Sequence, residues 1–283
     1  MAMVEDRLEV PQEKPVRYNE LLAPSSNGVV IRLQGVTKTL GGRKVLDNVS
    51  LEVHRGETVA IIGGSGAGKS VTLKHIVGLM KPDAGTVTLE NVDVSSASAE
   101  RVEEVRKKIG FVFQNGALLG SVTVYENVAL PLREHERLAE SEVRRRVEKA
   151  LALVGLSDAI DKMPSNLSGG MRKRASLARA IIRQPEIILY DEPTSGLDPV
   201  MSSIIDDLIV KAREELGVTS IIVTHDMSSV RHVANRVAML YRGAIYKDAM
   251  VDDFMRCEDP LIQQFIKGDP EGPLTEDYAR GKR

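Results

Sequence analysis

A glycine-rich run, Gly63-Gly64-Ser65-Gly66-Ala67-Gly68-Lys69-Ser70, carries the clearest chemistry in this chain. Its spacing fits the phosphate-binding pattern G-x-x-x-x-G-K-[ST]. Glycines let backbone N–H groups wrap an anion, and the positive end of the following helix adds to the attraction. Lys69 supplies a compact charge to the outer phosphates of a nucleotide, and the Ser70 hydroxyl is suited to Mg2+. A second run, Ile187-Ile188-Leu189-Tyr190-Asp191-Glu192-Pro193, is apolar and ends in two acids. Asp191 can hold Mg2+ through water, and Glu192 beside it can polarise an attacking water. Taken alone, a strand ending in two acids is a common surface feature; its meaning comes from company. No Asn-Lys-x-Asp run is present, so nothing suggests guanine recognition.

A third run, Asn166-Leu167-Ser168-Gly169-Gly170-Met171-Arg172-Lys173-Arg174, precedes the helical stretch Ala175–Ile182. Ser168, Gly169 and Gly170 then stand at a helix N-terminus, a second anion-ready place. One nucleotide rarely needs two such places. A head-to-tail dimer does, because each protomer's second site can cover the γ-phosphate held by the other.

Taken in order, these runs resemble the ATP-binding subunits of ABC transporters. The match comprises the phosphate loop, Gln114 after Phe111-Val112-Phe113, Leu167-Ser168-Gly169-Gly170, Asp191-Glu192, Ser195-Gly196-Leu197-Asp198, and His225 after Ile221-Ile222-Val223-Thr224. It covers about Val29 to Met250. The resemblance implies ATP and Mg2+ as cofactors, with Gly63 to Val71 on the phosphates. It implies that Ser70, Gln114 and Asp191 manage the metal, and that Gln114 also links to the membrane partner. Glu192 and His225 then act on water and γ-phosphate, and Ser168, Gly169, Gly170 and Asp198 act across a homodimer. Two residues depart from the common pattern. Leu40 stands where an aromatic ring usually stacks on adenine, and Met171 stands where Gln is usual. The run from Leu167 to Arg174 is similar to the lipid-transport ATPases that partner MCE-type proteins, the Mla and Mce systems. So are Gly116 to Ser121, Asn127 to His135, and the tail Phe265-Ile266-Lys267-Gly268 with Gly272-Pro273.

The implied fold is α/β, a P-loop nucleotide-binding domain with a RecA-like core, an N-terminal antiparallel β region and a helical subdomain over about 111–180. Alternating strand signals begin at Val29, and residues 181–250 return to strands and helices. Residues 1–28, with Pro11, Pro15, Pro24 and Ser25-Ser26-Asn27-Gly28, read as a flexible extension. Residues 251–283 read as a C-terminal amphipathic helix, with Phe254, Met255, Leu261, Ile262, Phe265 and Ile266 at helical spacing, followed by an extended tail.

Composition bounds the partners. A net charge of −2 over 283 residues gives no basic field for nucleic acid. Arg144-Arg145-Arg146 reads as the solvated face of a helix over Ser141 to Val154. The single cysteine, Cys257, excludes an intramolecular disulfide. His54, His75, His135 and His232 show no metal-ligand spacing. No apolar run approaches the ~18–20 residues of a membrane helix, and Met1 to Asp6 do not open a secretory signal. The chain is thus expected to be soluble and to reach the cytoplasmic face of the cell membrane by binding integral-membrane permease subunits. Apolar residues after Gln114 (Ala117, Leu118, Leu119, Val122, Val124, Tyr125) exceed what a free loop needs; about half are expected in the core and the rest in a groove for a permease helix. The expected function is ATP hydrolysis energising lipid transport with an MCE-domain protein. The alternatives are the same engine in an amino-acid or metabolite importer, and a soluble non-transport ATPase of the same class.

Overall fold

The computed structural model describes residues 28–275. Of the expected N-terminal extension over 1–28, residues 1–27 lie outside that range, as do the last residues, 276–283. The described chain opens with a long hairpin, β1 (Val29–Leu40) and β2 (Arg43–His54). Gly41 and Gly42 join them with φ of 56° and 76°. A two-residue turn with both φ positive matches the right-handed twist of the strands it joins, and glycine adopts it without strain. With β4 (Ala84–Leu89) and β5 (Val92–Asp93) the hairpin forms an antiparallel sheet in the order β2-β1-β4-β5.

The second sheet has six strands. They are β3 (Thr58–Ile62), β6 (Ile109–Val112), β7 (Ile187–Asp191), β8 (Thr219–Val223), β9 (Arg236–Tyr241) and β10 (Ala244–Met250), in the order β10-β9-β3-β8-β7-β6. All pairings are parallel except β9 with β10. The short unbroken apolar runs follow from this. Every residue of β3 and β8 is buried, because helices or the other sheet cover both faces of the parallel strands.

Strand alternation divides the interior in two. Ala60, Ile62, Ile188, Tyr190 and Ile222 face a core built with the helices that follow β6. Val59, Ile61, Ile187, Leu189 and Ile221 face a core shared with the antiparallel sheet. Helix α1 (Lys69–Ile76) and α2 (Ala99–Arg106) belong to the second side, through Leu73, Ile76, Val102 and Val105. Five more helices pack on the first: α3 (Val124–His135), α4 (Glu140–Leu153), α5 (Gly169–Ile181), α6 (Pro199–Leu216) and α7 (Met227–Val233). Full burial of each large aliphatic side chain contributes about 1.5–3 kcal/mol, so both cores hold the central sheet in place.

This layout positions the chemistry. In a parallel sheet all the loops at the strands' carboxyl ends open on one edge, and ligands bind there. The glycine-rich run follows β3, Gln114 follows β6, Asp191 ends β7, and His225 follows β8. Residues distant in sequence are thereby gathered along one edge.

The C-terminal region differs from the single helix and extended strip expected from sequence. Two helices form, α8 (Val251–Arg256) and α9 (Pro260–Lys267), separated because Asp259 N-caps α9 and Pro260 occupies its first turn. Gly268, at φ 66°, ends α9 in a left-handed turn. The chain then folds back onto its own helix. Gln264 donates to the Asp269 carbonyl and to Thr275 Oγ1, and accepts from the Leu274 amide. Up to residue 275 the tail is therefore held by α9.

Candidate nucleotide-binding site

The phosphate loop is tightly fitted to its surroundings. An added Cβ at Gly63 would lie 2.3 Å from the Leu240 carbonyl, and one at Gly68 would lie 2.7 Å from Leu46 and 2.9 Å from the Val45 carbonyl. Both glycines have positive φ, 149° and 105°. Backbone from β9 and β2 thus closes around the loop, and no larger residue fits. Gly64 to Ala67 form the turn, with Ser65 and Gly66 exposed. Lys69 Nζ donates to the carbonyls of Gly63 at 2.8 Å and Gly64 at 3.2 Å. Burial lowers the Lys69 pKa, while the charges of Glu192 and Asp191 oppose that shift. Val71 packs partly into the second core and holds the first turn of α1.

Three further loops converge. Ser70 Oγ donates to Asp191 Oδ1 at 3.0 Å, so the ends of β3 and β7 meet. Gln114 Nε2 donates to Ser195 Oγ at 3.5 Å, which joins the ends of β6 and β7. His225 Nδ1 lies 2.9 Å from Glu192 Oε2, which brings in β8. The Asp191 carboxyl titrates above its ordinary value, first because it is buried and then because Glu192 carries a like charge. A hydroxyl and a carboxylate oxygen side by side, with excess negative charge, suit a hard divalent cation of the Mg2+ type. The donor set present therefore fits that metal.

Glu192 has φ 50°, left-handed for a residue with a side chain. Its amide donates to the Val223 carbonyl at 2.9 Å. Its own carbonyl accepts from Lys173 Nζ at 2.9 Å and from the Ser195 amide at 3.2 Å. The side chain is mostly buried, while that of His225 is 65% exposed. The acid is held inside, and the histidine stands mostly in solvent with its Nδ1 on the acid.

Helix starts separate into two kinds. Among the described α-helices, seven carry an acid at the N-cap or in the first turn. Glu100, Glu126, Glu140 and Asp252 lie in first turns, and Asp198, Asp226 and Asp259 are N-caps. Such acids are favoured there by the helix dipole. Helices α1 and α5 have none. Gly68 caps α1 with no side-chain hydrogen bond, and Ser168 caps α5 by accepting from the Met171 amide at 3.2 Å. These are the two helix starts that the sequence marks as anion-ready. Next to Ser168, Gly169 and Gly170 keep the turn bare, and a Cβ at Gly170 would meet the Met201 methyl of α6 at 2.4 Å. Asp198 is occupied as the cap of α6, accepting from the amides of Val200 and Met201, both at 3.0 Å.

Leu40 sits at the tip of the first hairpin, paired with Arg43 and 38% exposed. The part of this sheet that packs on the phosphate loop is Val45-Leu46, which sequence reading passed over. Other contributors also escaped it. Asn127, fully buried in α3, bonds both the amide and the carbonyl of Leu119. Arg179 of α5 donates to the carbonyls of Ala117 and Gly116 at 2.7 and 2.9 Å. Together they fix the loop after Gln114. A polar residue on the apolar face of a helix was the available signal for Asn127; its partners were not.

A glycine loop ahead of a helix, with two acids at the end of a strand one place removed in the same sheet, defines a P-loop nucleotide-hydrolysing fold. Comparison with known proteins gives the narrower class. The family described as ABC transporter matches residues 46–195. The intermembrane phospholipid transport system ATP-binding protein MlaF of Haemophilus influenzae is 38% identical over 252 residues, covering 89% of this chain and 96% of that protein. The probable ribonucleotide transport ATP-binding protein mkl of Mycobacterium leprae is 40% identical over 247 residues, covering 87% of this chain and 71% of that protein. Among solved structures, a dimeric ATP-binding cassette in a post-hydrolysis state, bound to ADP and Pi, superposes with a TM-score of 0.73 at 35% identity. It covers 78% of this chain and 98% of that one. The chain belongs to the ABC transporter family of ATP-binding proteins. It is an ATPase, with the α/β P-loop fold expected from its sequence. Among the described residues no helix is long and apolar enough to cross a membrane.

Proposed function

We propose that this ABC ATPase energises the movement of phospholipid or a related lipid, working with membrane-embedded permease subunits and an MCE-type partner. The cargo reading is supported by similarity to MlaF along nearly the full length of both proteins. The mycobacterial relatives, named for ribonucleotide transport, favour a second reading with a different cargo on the same engine.

The observation that carries the engine is the pair of acid-free helix starts. The chain uses one, at α1, for the nucleotide it holds. The other, at α5, serves the nucleotide of a second copy, so two ATP molecules are enclosed between two protomers. Gly63 to Ser70 grip the phosphates through backbone amides, and Lys69 leaves the carbonyls of Gly63 and Gly64 to follow the outer phosphates. Ser70, Asp191 and Gln114 would hold Mg2+, which when bound neutralises charge between the phosphate oxygens. Glu192 orients and deprotonates water, and His225 moves between Glu192 and the γ-phosphate. Ser168, Gly169, Gly170 and Asp198 act across the interface.

A groove of about 300 Å³ between β6, α3 and α5, lined by Phe111, Phe113, Leu130, Pro131 and Arg179, supports reading this face as the permease contact. Phe113 and Leu119 are exposed there and nearby, at 41% and 48%, while Val124 and Tyr125 are core. Through this contact the chain is peripheral on the cytoplasmic face of the cell membrane.

The test uses Glu192→Gln in the full chain. ATP binding is retained, steady-state hydrolysis falls about 10²–10⁴-fold as general-base catalysis is lost, and an ATP-bound dimer accumulates. Hydrolysis at the normal rate removes Glu192 from the mechanism. For cargo, the complex purified from membranes and reconstituted in vesicles is expected to move a labelled phospholipid on adding ATP. ATP-driven uptake of a ribonucleotide with no lipid movement would establish the second reading.

A further inference from the structure

Three basic residues in the first turns of α5 are each used differently. Arg172 donates to the Leu167 carbonyl at 2.6 Å, and Arg174 donates to those of Val154 and Gly155 at 3.0 and 2.9 Å. Both steady loops of the helical region. Lys173 points the other way and reaches the carbonyl of Glu192 at 2.9 Å. Lysine is seldom buried this far, and Lys173 is only 7% exposed. Burial lowers its pKa, with the Glu192 charge opposing.

The peptide it grips is unusual. At φ 50°, Glu192 occupies a conformation that side-chain-bearing residues keep only when neighbours enforce it. The Val223 carbonyl fixes the amide side at 2.9 Å, and the Ser195 amide holds the carbonyl side at 3.2 Å. Lys173 adds the shorter bond to that carbonyl, and it comes from another element. Lys173 lies five positions after Ser168, or about 7.5 Å along a rigid helix. A shift of the α5 start is therefore carried directly to the peptide of the acid. Gly170 against Met201 ties the same helix start to α6.

We propose that Lys173 is a positioning residue for Glu192, holding the acid's backbone in its left-handed turn and relaying to it the position of the α5 N-terminus. This rests on the reading of Glu192 as the base. The decisive atom is an N–H donor, so a neutral amide, one bond shorter, serves in place of the ammonium.

Three full-length variants test it: Lys173→Met, Lys173→Gln and, as the reference for the base, Glu192→Gln. Hydrolysis and equilibrium binding of a fluorescent ATP analogue are measured for each. In Lys173→Met, kcat is expected to fall on the order of 10- to 100-fold, as for a base displaced by a fraction of an ångström to an ångström. KM and analogue affinity change less than about twofold, because the phosphate loop is untouched. Lys173→Gln recovers most of kcat. If Lys173→Met does not fold, the Gln variant decides alone: near-normal kcat supports the donor role, and a loss like that of Glu192→Gln overturns it. Normal kcat in Lys173→Met beside a dead Glu192→Gln removes Lys173 and leaves the base intact. Equal losses in kcat and affinity, unrescued by Gln, reduce Lys173 to packing. An active Glu192→Gln enzyme removes both readings together.

Discussion

Helices α1 and α5 both begin without an acid, yet they are built differently. The start of α1 is a loop closed by backbone from β9 and β2, with Lys69 folded over the carbonyls of Gly63 and Gly64. The start of α5 is capped by its own serine, whose oxygen takes the Met171 amide while its O–H stays available to donate. The first is enclosed and can recognise phosphate by itself. The second is a bare turn resting on Met201. Under the proposed function one helix start binds and the other reports, with the chemistry between them at Asp191 and Glu192.

Charge changes at the two starts put this contrast to the test. The largest effect is expected at α1. Lys69→Ala removes a partly buried charge from the phosphate contact, and ATP affinity falls by roughly 2–5 kcal/mol. Calorimetric titration checks it, and an unchanged affinity would mean that the backbone cradle alone suffices. Ser168→Asp places an acid at α5 and should split stability from activity. The folded chain keeps or gains a few tenths of a kcal/mol, as acids do at other helix starts. ATP binding by the isolated chain is unchanged, but hydrolysis falls tenfold or more because like charges oppose each other across the dimer. Equal activity of the Asp variant would show that α5 never meets a phosphate.

The smallest effect concerns an acid in the wrong place. Asp206 lies within α6, buried, accepting from Ser229 Oγ at 2.8 Å. Burial raises its pKa from 3.8 to about 6, aided by Asp226 and Asp207 and opposed by Ser229 and His232. The folded chain therefore holds this proton more tightly than the unfolded chain. Its stabilising contribution is complete below about pH 4 and is lost as pH rises through about 6. Asp206→Asn keeps an acceptor for Ser229 without the charge. It should flatten that part of the stability curve and stabilise the fold by about 1–2 kcal/mol at pH 8. Denaturant melts at pH 4, 6 and 8 read this directly, and parallel curves for the two proteins would contradict it.

Much of the molecule was legible because its chemistry is local. The phosphate loop and the acids after β7 are each fixed by a few adjacent residues, as is the start of α5. Strand and helix periods around them are strong. What escaped depends on contacts between distant segments. Nothing near Lys173 announces that it meets a carbonyl 19 positions on. Val45 gives no sign that the phosphate loop closes on it. The tail shows the intermediate case. The helical spacing from Phe254 to Ile266 was visible but ran across Asp259-Pro260, whose physical meaning is a cap followed by a new helix. The return of residues 269–275 onto Gln264 needed the third dimension.

Strand order also has a consequence in time. β3, which leads into the phosphate loop, is flanked by β8 and β9, and these begin only at Thr219 and Arg236. A ribosome adds roughly 5–20 residues per second. The nascent β3 therefore waits on the order of 10–30 s for its neighbours, as a buried strand with nothing to bury it. During that interval its apolar run is open to wrong partners, and chaperones have their clearest opening. The phosphate loop gains its backing from the Leu240 carbonyl only once β9 has been made, so ATP capture on the ribosome is expected no earlier than that moment.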